Sequence, residues 1–127
     1  MVRQEERCTR TADAIAALPD HASLRLAQTA ILTLVEVTSN LVSHPAMNSR
    51  AGCHAGDLID AINLDLISQA EAILKRALDL PPLDAGGRAN RARIEISHAL
   101  AFPSDDQTET IALASAALAM ASGGRLS

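Results

Sequence analysis

At 127 residues and 13.3 kDa the chain is long enough to bury one core without disulfides or metal, and its 48 % hydrophobic and 20 % charged residues exclude a disordered polypeptide. A net charge of −4 gives no overall basic footprint for general nucleic-acid binding. Phe102 is the one residue among Phe, Trp and Tyr, which disfavours base stacking on aromatic side chains and aromatic cages for quaternary ammonium ligands.

The first residues, MVRQEERCTR, are charged and hold no apolar stretch of the kind a secretory signal carries. The longest apolar run, IALASAALAMA from Ile111, falls short of the roughly 18 residues that a membrane span needs. A cytoplasmic protein without membrane contact is the expectation. Cys8 and Cys53 are then read as free thiols rather than a bridge, with Cys8 a small buried hydrophobe.

Helix 1 is expected from about Arg3 to Leu18, with Cys8, Ala12, Ile15 and Ala16 inward and Pro19 closing it. Its apolar stripe is thin, so residues 1–18 read as a loosely packed helix or arm. Asp20 caps a second helix, His21 to Ser43, whose inward arc is Leu24, Ala27, Ile31, Leu34, Val35, Leu41 and Val42. Arg25, Gln28, Glu36, Ser39 and Ser43 fall opposite. His44 to Gly56, with proline, glycines and small polar residues, reads as the longest loop, a segment of roughly a dozen residues that is either functional or poorly ordered.

Asp57 to Leu80 is the strongest element. Leu58, Ile59, Ile62, Leu66, Ala70, Ile73 and Ala77 recur at steps of three and four, while Leu64, Ile67, Leu74 and Leu78 widen the arc, as in a central bundle helix. Asp57 and Asp60 suit its start, Lys75 and Arg76 its end, and Pro81-Pro82 stop it. PPLDAGG then separates it from a fourth helix, Arg88 to Phe102, which has Ala92, Ile96, Ala99 and Leu100 on one face and Ile94, His98 and Ala101 on the next. Two apolar faces imply two packing partners. Ser104 and Gln107 form a capping box for a fifth, alanine-rich helix that ends at Gly123-Gly124 and is expected inside the bundle or against its copy in another subunit.

Three constellations could carry chemistry. Glu95-x-x-His98 is half of a carboxylate-bridged di-iron motif, but the second pair and two further inward glutamates are missing, because Glu36 and Glu71 project to polar helix faces. His44, Cys53, His54 and Asp57 surround the long loop without a zinc spacing, and Cys53, beside a helix N-terminus, is the more reactive thiol expected. Lys75, Arg76, Arg88, Arg91 and Arg93 bracket the prolines and are read as a solvated or salt-bridged face, with an anion site as the sharper alternative. No metal and no cofactor is expected.

Arg93 and His98 also complete an R-x4-H pattern late in a small helical chain, followed by one more helix. In this the chain resembles the HEPN domains of toxin and antiphage ribonucleases. The resemblance covers six residues and implies a metal-independent ribonuclease. Arg93 would stabilise the phosphate and His98 help activate the ribose 2′-hydroxyl, each meeting its symmetry mate at a dimer interface.

The sequence therefore predicts an all-α, single-domain bundle of four to five mostly antiparallel helices over residues 1–127. The leading functional expectation is a small non-enzymatic interaction or regulatory protein that acts through helix packing, as a homodimer and possible binder of a protein partner. No Gly-rich phosphate loop and no nucleophile-base-orienter spacing is present. The alternative is the ribonuclease built on Arg93 and His98, the one reading that calls for nucleic acid.

Overall fold

A computed structural model describes residues 10–44, 54–103 and 107–123. Among the described residues the regular structure is five helices, with no strand. They are α1 (10–16), α2 (His21–Val42), α3 (His54–Asp79), α4 (Ala85–Ala101) and α5 (Gln107–Gly123). The predicted all-α bundle is what forms.

The expected start of α2 is correct, and its cause is visible. Asp20 has extended backbone, and its carboxylate accepts from the Ser23 amide at 2.8 Å, satisfying a donor that the first helical turn leaves unpaired. Two other starts move. α3 begins at His54 rather than Asp57, inside the span 44–56 predicted as a loop; residues 45–53 of that span lie outside the described residues. α4 begins at Ala85 rather than Arg88 because Asp84 caps it, its carboxylate accepting from the Gly87 amide at 2.7 Å. Gly86 and Gly87 therefore stand inside the first turn and do not separate two helices. A β-carbon on Gly87 would sit 3.4 Å from that carboxylate and 3.5 Å from Pro82, ordinary contact distances, so the space there does not itself require glycine. The capping box of Ser104 and Gln107 falls outside what is described at that helix start.

α2 and α3 form the most extensive helix pair; α4 lies against α2 and, more lightly, α3; α5 lies on α4. Leu24, Ile73, Ala77 and Ile94 form the buried centre, with Ile15, Leu18, Ala27, Ile31, Leu74 and Leu80 packed around it. Full burial of a Leu or Ile side chain contributes about 1.5–3 kcal/mol, so Leu24, Ile73 and Ile94 dominate what holds α2, α3 and α4 together. Side-chain bonds fix the directions. His21 Nε2 lies 2.9 Å from the Ala77 carbonyl and Asn63 bonds at the level of 35–39, so α2 and α3 run antiparallel. Arg25 donates to Asn90 and Gln28 to the Ile94 carbonyl, so α2 and α4 run parallel.

Two buried polar residues depart from the periodic reading. Gln28, expected on the polar face of α2, is buried, and its amide donates to the Ile94 carbonyl at 2.8 Å. Asn63 sits in the α2–α3 seam and donates to Thr38 Oγ1 at 2.7 Å, Ser39 Oγ at 3.0 Å and the Val35 carbonyl at 3.3 Å. A buried amide with these partners is tolerated, and it pins the register of the two helices. The thin inward face of α1 also shrinks: Ile15 and Leu18 pack against the core cluster, whereas Ala12 and Ala16 are exposed. Cys8 lies outside the described residues.

Candidate interaction surfaces

Arg93 and His98 both belong to α4. Five residues at 100° each leave their side chains about 140° apart around that helix, so one chain does not converge them on a single site. His98 is half-buried and its ring is tilted against Phe102, with centroids 4.8 Å apart. Burial pushes the His98 pKa below the ordinary histidine value, and the Glu71 carboxylate opposes this only in part. Its Nδ1 is shielded from solvent and has no hydrogen-bond partner. The imidazole is thus held toward its neutral form, with one nitrogen closed to any ligand from solution.

The remaining sequence candidates scatter. Glu95 is half-buried on α4, three residues from His98, while Glu36 and Glu71 are exposed on α2 and α3. Among the described residues no three of His, Cys, Asp and Glu come together as a metal site would need. His44, His54 and Asp57 are exposed, and Cys53 is outside the described residues. Of the basic series, Arg76 serves the fold itself, because its guanidinium donates to the Leu18 carbonyl at 3.3 Å and ties α3 to the α1–α2 turn. Lys75 and Arg88 are exposed, and Arg91 and Arg93 are partly so.

Two open cavities accompany these helices. One, of about 540 Å3, lies between α1 and α3 and is lined by Arg10, Thr11, Ile15, Asp65 and Gln69 among others. The other, of about 510 Å3, runs between α2 and α4 past Gln28, Thr33, Glu36, Ser39 and Ser97. Neither includes Arg93 or His98 in its lining.

No protein-family model, characterised protein or solved structure matches the chain. What bears on function is therefore the molecule's own surface, on which large apolar side chains are exposed at two places among others. No described helix is long and apolar enough to cross a membrane.

The first place is α5. Apolar residues surround this helix instead of lining one side, and Glu109 is its one charged residue. A helix apolar all round is ordinarily buried all round. Here α4 covers one side: Ala114 is buried and Ile111 and Leu118 are half-buried, but Leu113 is 66 % and Met120 79 % exposed. Leu113 and Met120 stand seven residues apart, hence on one stripe, with Ala116 and Ala117 between them. Leu100 on α4, expected inward, is also 66 % exposed.

The second place is the half of the α2–α3 hairpin nearest the chain reversal. Leu34 and Leu41 of α2 and Leu58 and Ile62 of α3, all predicted inward, are exposed, Leu58 to 60 % and Ile62 to 40 %. The reason is a shortage of layers. α4 covers one side of the hairpin, and helical residues 10–16 cover only part of the other. Sequence periodicity marks an apolar arc without saying whether the molecule supplies enough helices to cover it.

Proposed function

We propose that the protein is a non-enzymatic helical interaction or regulatory protein that works through helix packing, as a homodimer joined through α5. The observation that carries this reading is the one-sided support of a helix that is apolar on every side. The chemistry of α5 favours a second copy as the cover. Each chain carries a net charge of −4, so copies repel in general, and a helix with Glu109 as its one charge is where two copies approach at least electrostatic cost. Small alanine side chains let the helix backbones come close, and Leu113 and Met120 supply knobs at heptad spacing.

Native mass spectrometry tests this directly. A dimer is expected for the natural chain and a folded monomer for the double variant Leu113→Glu/Met120→Glu, because carboxylates on both copies would face each other across the seam. A monomeric natural chain, or a variant that stays dimeric, would refute the α5 interface.

The ribonuclease reading depends on the same spectrum. Arg93 and His98 point about 140° apart on α4, so they need symmetry mates to share a cleft. A monomer would remove that reading as well.

A further inference from the structure

We infer that the cleft between α1 and α3 is a binding site for a free α-amino acid with an aliphatic side chain, a role separate from self-association through α5. The cleft is an open cavity of about 540 Å3, within the size range of small-molecule sites. Its two walls carry opposite charges, Arg10 on α1 and Asp65 on α3. Among the described residues these are the two charged groups in the lining, both exposed and neither with an ion-pair partner.

Polarity changes along the cleft. The Arg76 guanidinium donates to the Leu18 carbonyl at 3.3 Å, which sets the chain just after α1 beside the last turns of α3. From that tie α1 runs back from residue 16 to residue 10, while the α3 wall runs back from Ala72 to Asp65. Ile15 and Ala72 therefore stand at the inner end, toward the turn into α2, and Arg10 and Asp65 at the outer end. Asp65, Ser68, Gln69 and Ala72 follow the three-four spacing, so one stripe of α3 passes from carboxylate through hydroxyl and amide to methyl. Ile15 is half-buried and packs against the core cluster, which gives the inner end an anchored apolar wall.

These features select the ligand. A lone carboxylate would meet Arg10 and be repelled by Asp65, and a lone amine would be attracted by Asp65 and repelled by Arg10. A zwitterion satisfies both, with its carboxylate on the guanidinium and its ammonium on the Asp65 carboxylate. The ammonium is a primary one: Ser68 and Gln69 offer oxygen acceptors for its N–H groups, and the described lining has no aromatic ring to hold a quaternary ammonium. The aliphatic side chain follows from Ile15, Ala72 and Ala12, which supply the apolar surface of the cleft. The end of a peptide carries one of the two charges at its α-carbon, so the free amino acid is the match.

The test uses the full chain, 15N-labelled, and follows its amide resonances during titration with L-leucine at millimolar concentrations. Saturable shifts are expected at residues 11, 68 and 69, on the two walls of the cleft. L-Leucinamide lacks the carboxylate, N-acetyl-L-leucine lacks the ammonium and glycine lacks the side chain; each should bind about fivefold or more weakly than L-leucine, because every contact in an open site is partly solvated. Arg10→Gln should weaken L-leucine about fivefold and leave L-leucinamide unchanged, whereas Asp65→Asn should weaken L-leucine similarly and leave N-acetyl-L-leucine unchanged. Both positions are exposed, and amide shifts that match the natural chain away from the cleft establish that the variants are folded. A site disturbed only in its structure would lose all four ligands together, and that outcome would overturn the inference. So would the absence of saturable shifts, shifts confined to other helices, or undiminished L-leucine binding by either variant. The Leu113→Glu/Met120→Glu variant keeps the two proposals apart: it should bind L-leucine as the natural chain does, whatever its subunit number.

Discussion

The α2–α3 pair and the α4–α5 pair each join helices that are consecutive in the chain, yet they are held by different means. In α2–α3, Leu24, Leu66, Ala70, Ile73 and Ala77 are buried, and His21, Thr38 and Asn63 add bonds that only one register satisfies. In α4–α5 the buried apolar residues besides Ile94 are Ala92, Ala99 and Ala114, with Ile96, Ile111 and Leu118 half-buried, while Leu100, Leu113 and Met120 are exposed. One pair buries large side chains at its centre and specifies its geometry with polar groups, although Leu34, Leu41, Leu58 and Ile62 stay exposed; the other buries chiefly alanines and leaves its large side chains on α5 half-buried or exposed. The difference teaches that helix contact and helix burial are separate quantities. α5 packs on α4 and still keeps the surface that a partner would need.

The sharpest way to break this comparison is to truncate one large side chain in each pair. Ile73→Ala should cost about 2–5 kcal/mol in urea denaturation, because it opens a cavity where three helices meet. Leu113→Ala should change stability by no more than about 0.5 kcal/mol at concentrations where the chain is monomeric. Similar losses at both sites would mean that α5 is as deeply packed as α3, with no apolar stripe left free for a second copy.

Next in size is the polar seam. Asn63→Ala removes the donor that serves Thr38 Oγ1, Ser39 Oγ and the Val35 carbonyl, and should lower stability by about 1–3 kcal/mol. Hydrogen exchange should speed up first in the adjoining turns of α2 and α3 while α4 keeps its protection. Uniform acceleration through every helix would show that the seam is part of one cooperative unit and not a local lock.

The smallest effect concerns pH. His98 has its pKa lowered in the fold, chiefly by burial, so the unfolded chain takes up the proton first as pH falls. The natural chain should therefore lose stability on acidification through the ordinary histidine value of 6.5, and His98→Gln should lose less over the same range. Thermal midpoints at about pH 7.5 and pH 5.5 measure this, with the remaining histidines common to both proteins. An identical slope in the variant would assign the acid sensitivity elsewhere.

Much of the helical order was legible in the residues. Asp20 before a three-four apolar repeat marked the start of α2, and Pro81-Pro82 marked the end of α3, because caps and prolines act within a few residues of themselves. Asp84 was just as local a signal, but the glycine pair after it concealed the start of α4, where the Gly87 amide donates a hydrogen bond to the Asp84 carboxylate. Gln28 and Asn63 were not legible as buried. Their polarity assigns them to solvent until carbonyls and hydroxyls from another helix are brought within 3.3 Å. Leu34, Leu41, Leu58 and Ile62 failed in the opposite direction, since an apolar stripe records a demand for cover and not its supply.

The sequence by itself determined an all-helical chain, the approximate span of each long helix and the stripe that makes α3 central, because periodicity, capping and proline are effects of short range. Only the tertiary structure decided which of those stripes are covered. Burial depends on how many helices reach a given face, and that number is a property of the assembled layers. Here it encloses Leu24, Ile73 and Ile94 and leaves Leu113 and Met120 of α5 and Leu58 and Ile62 of α3 exposed.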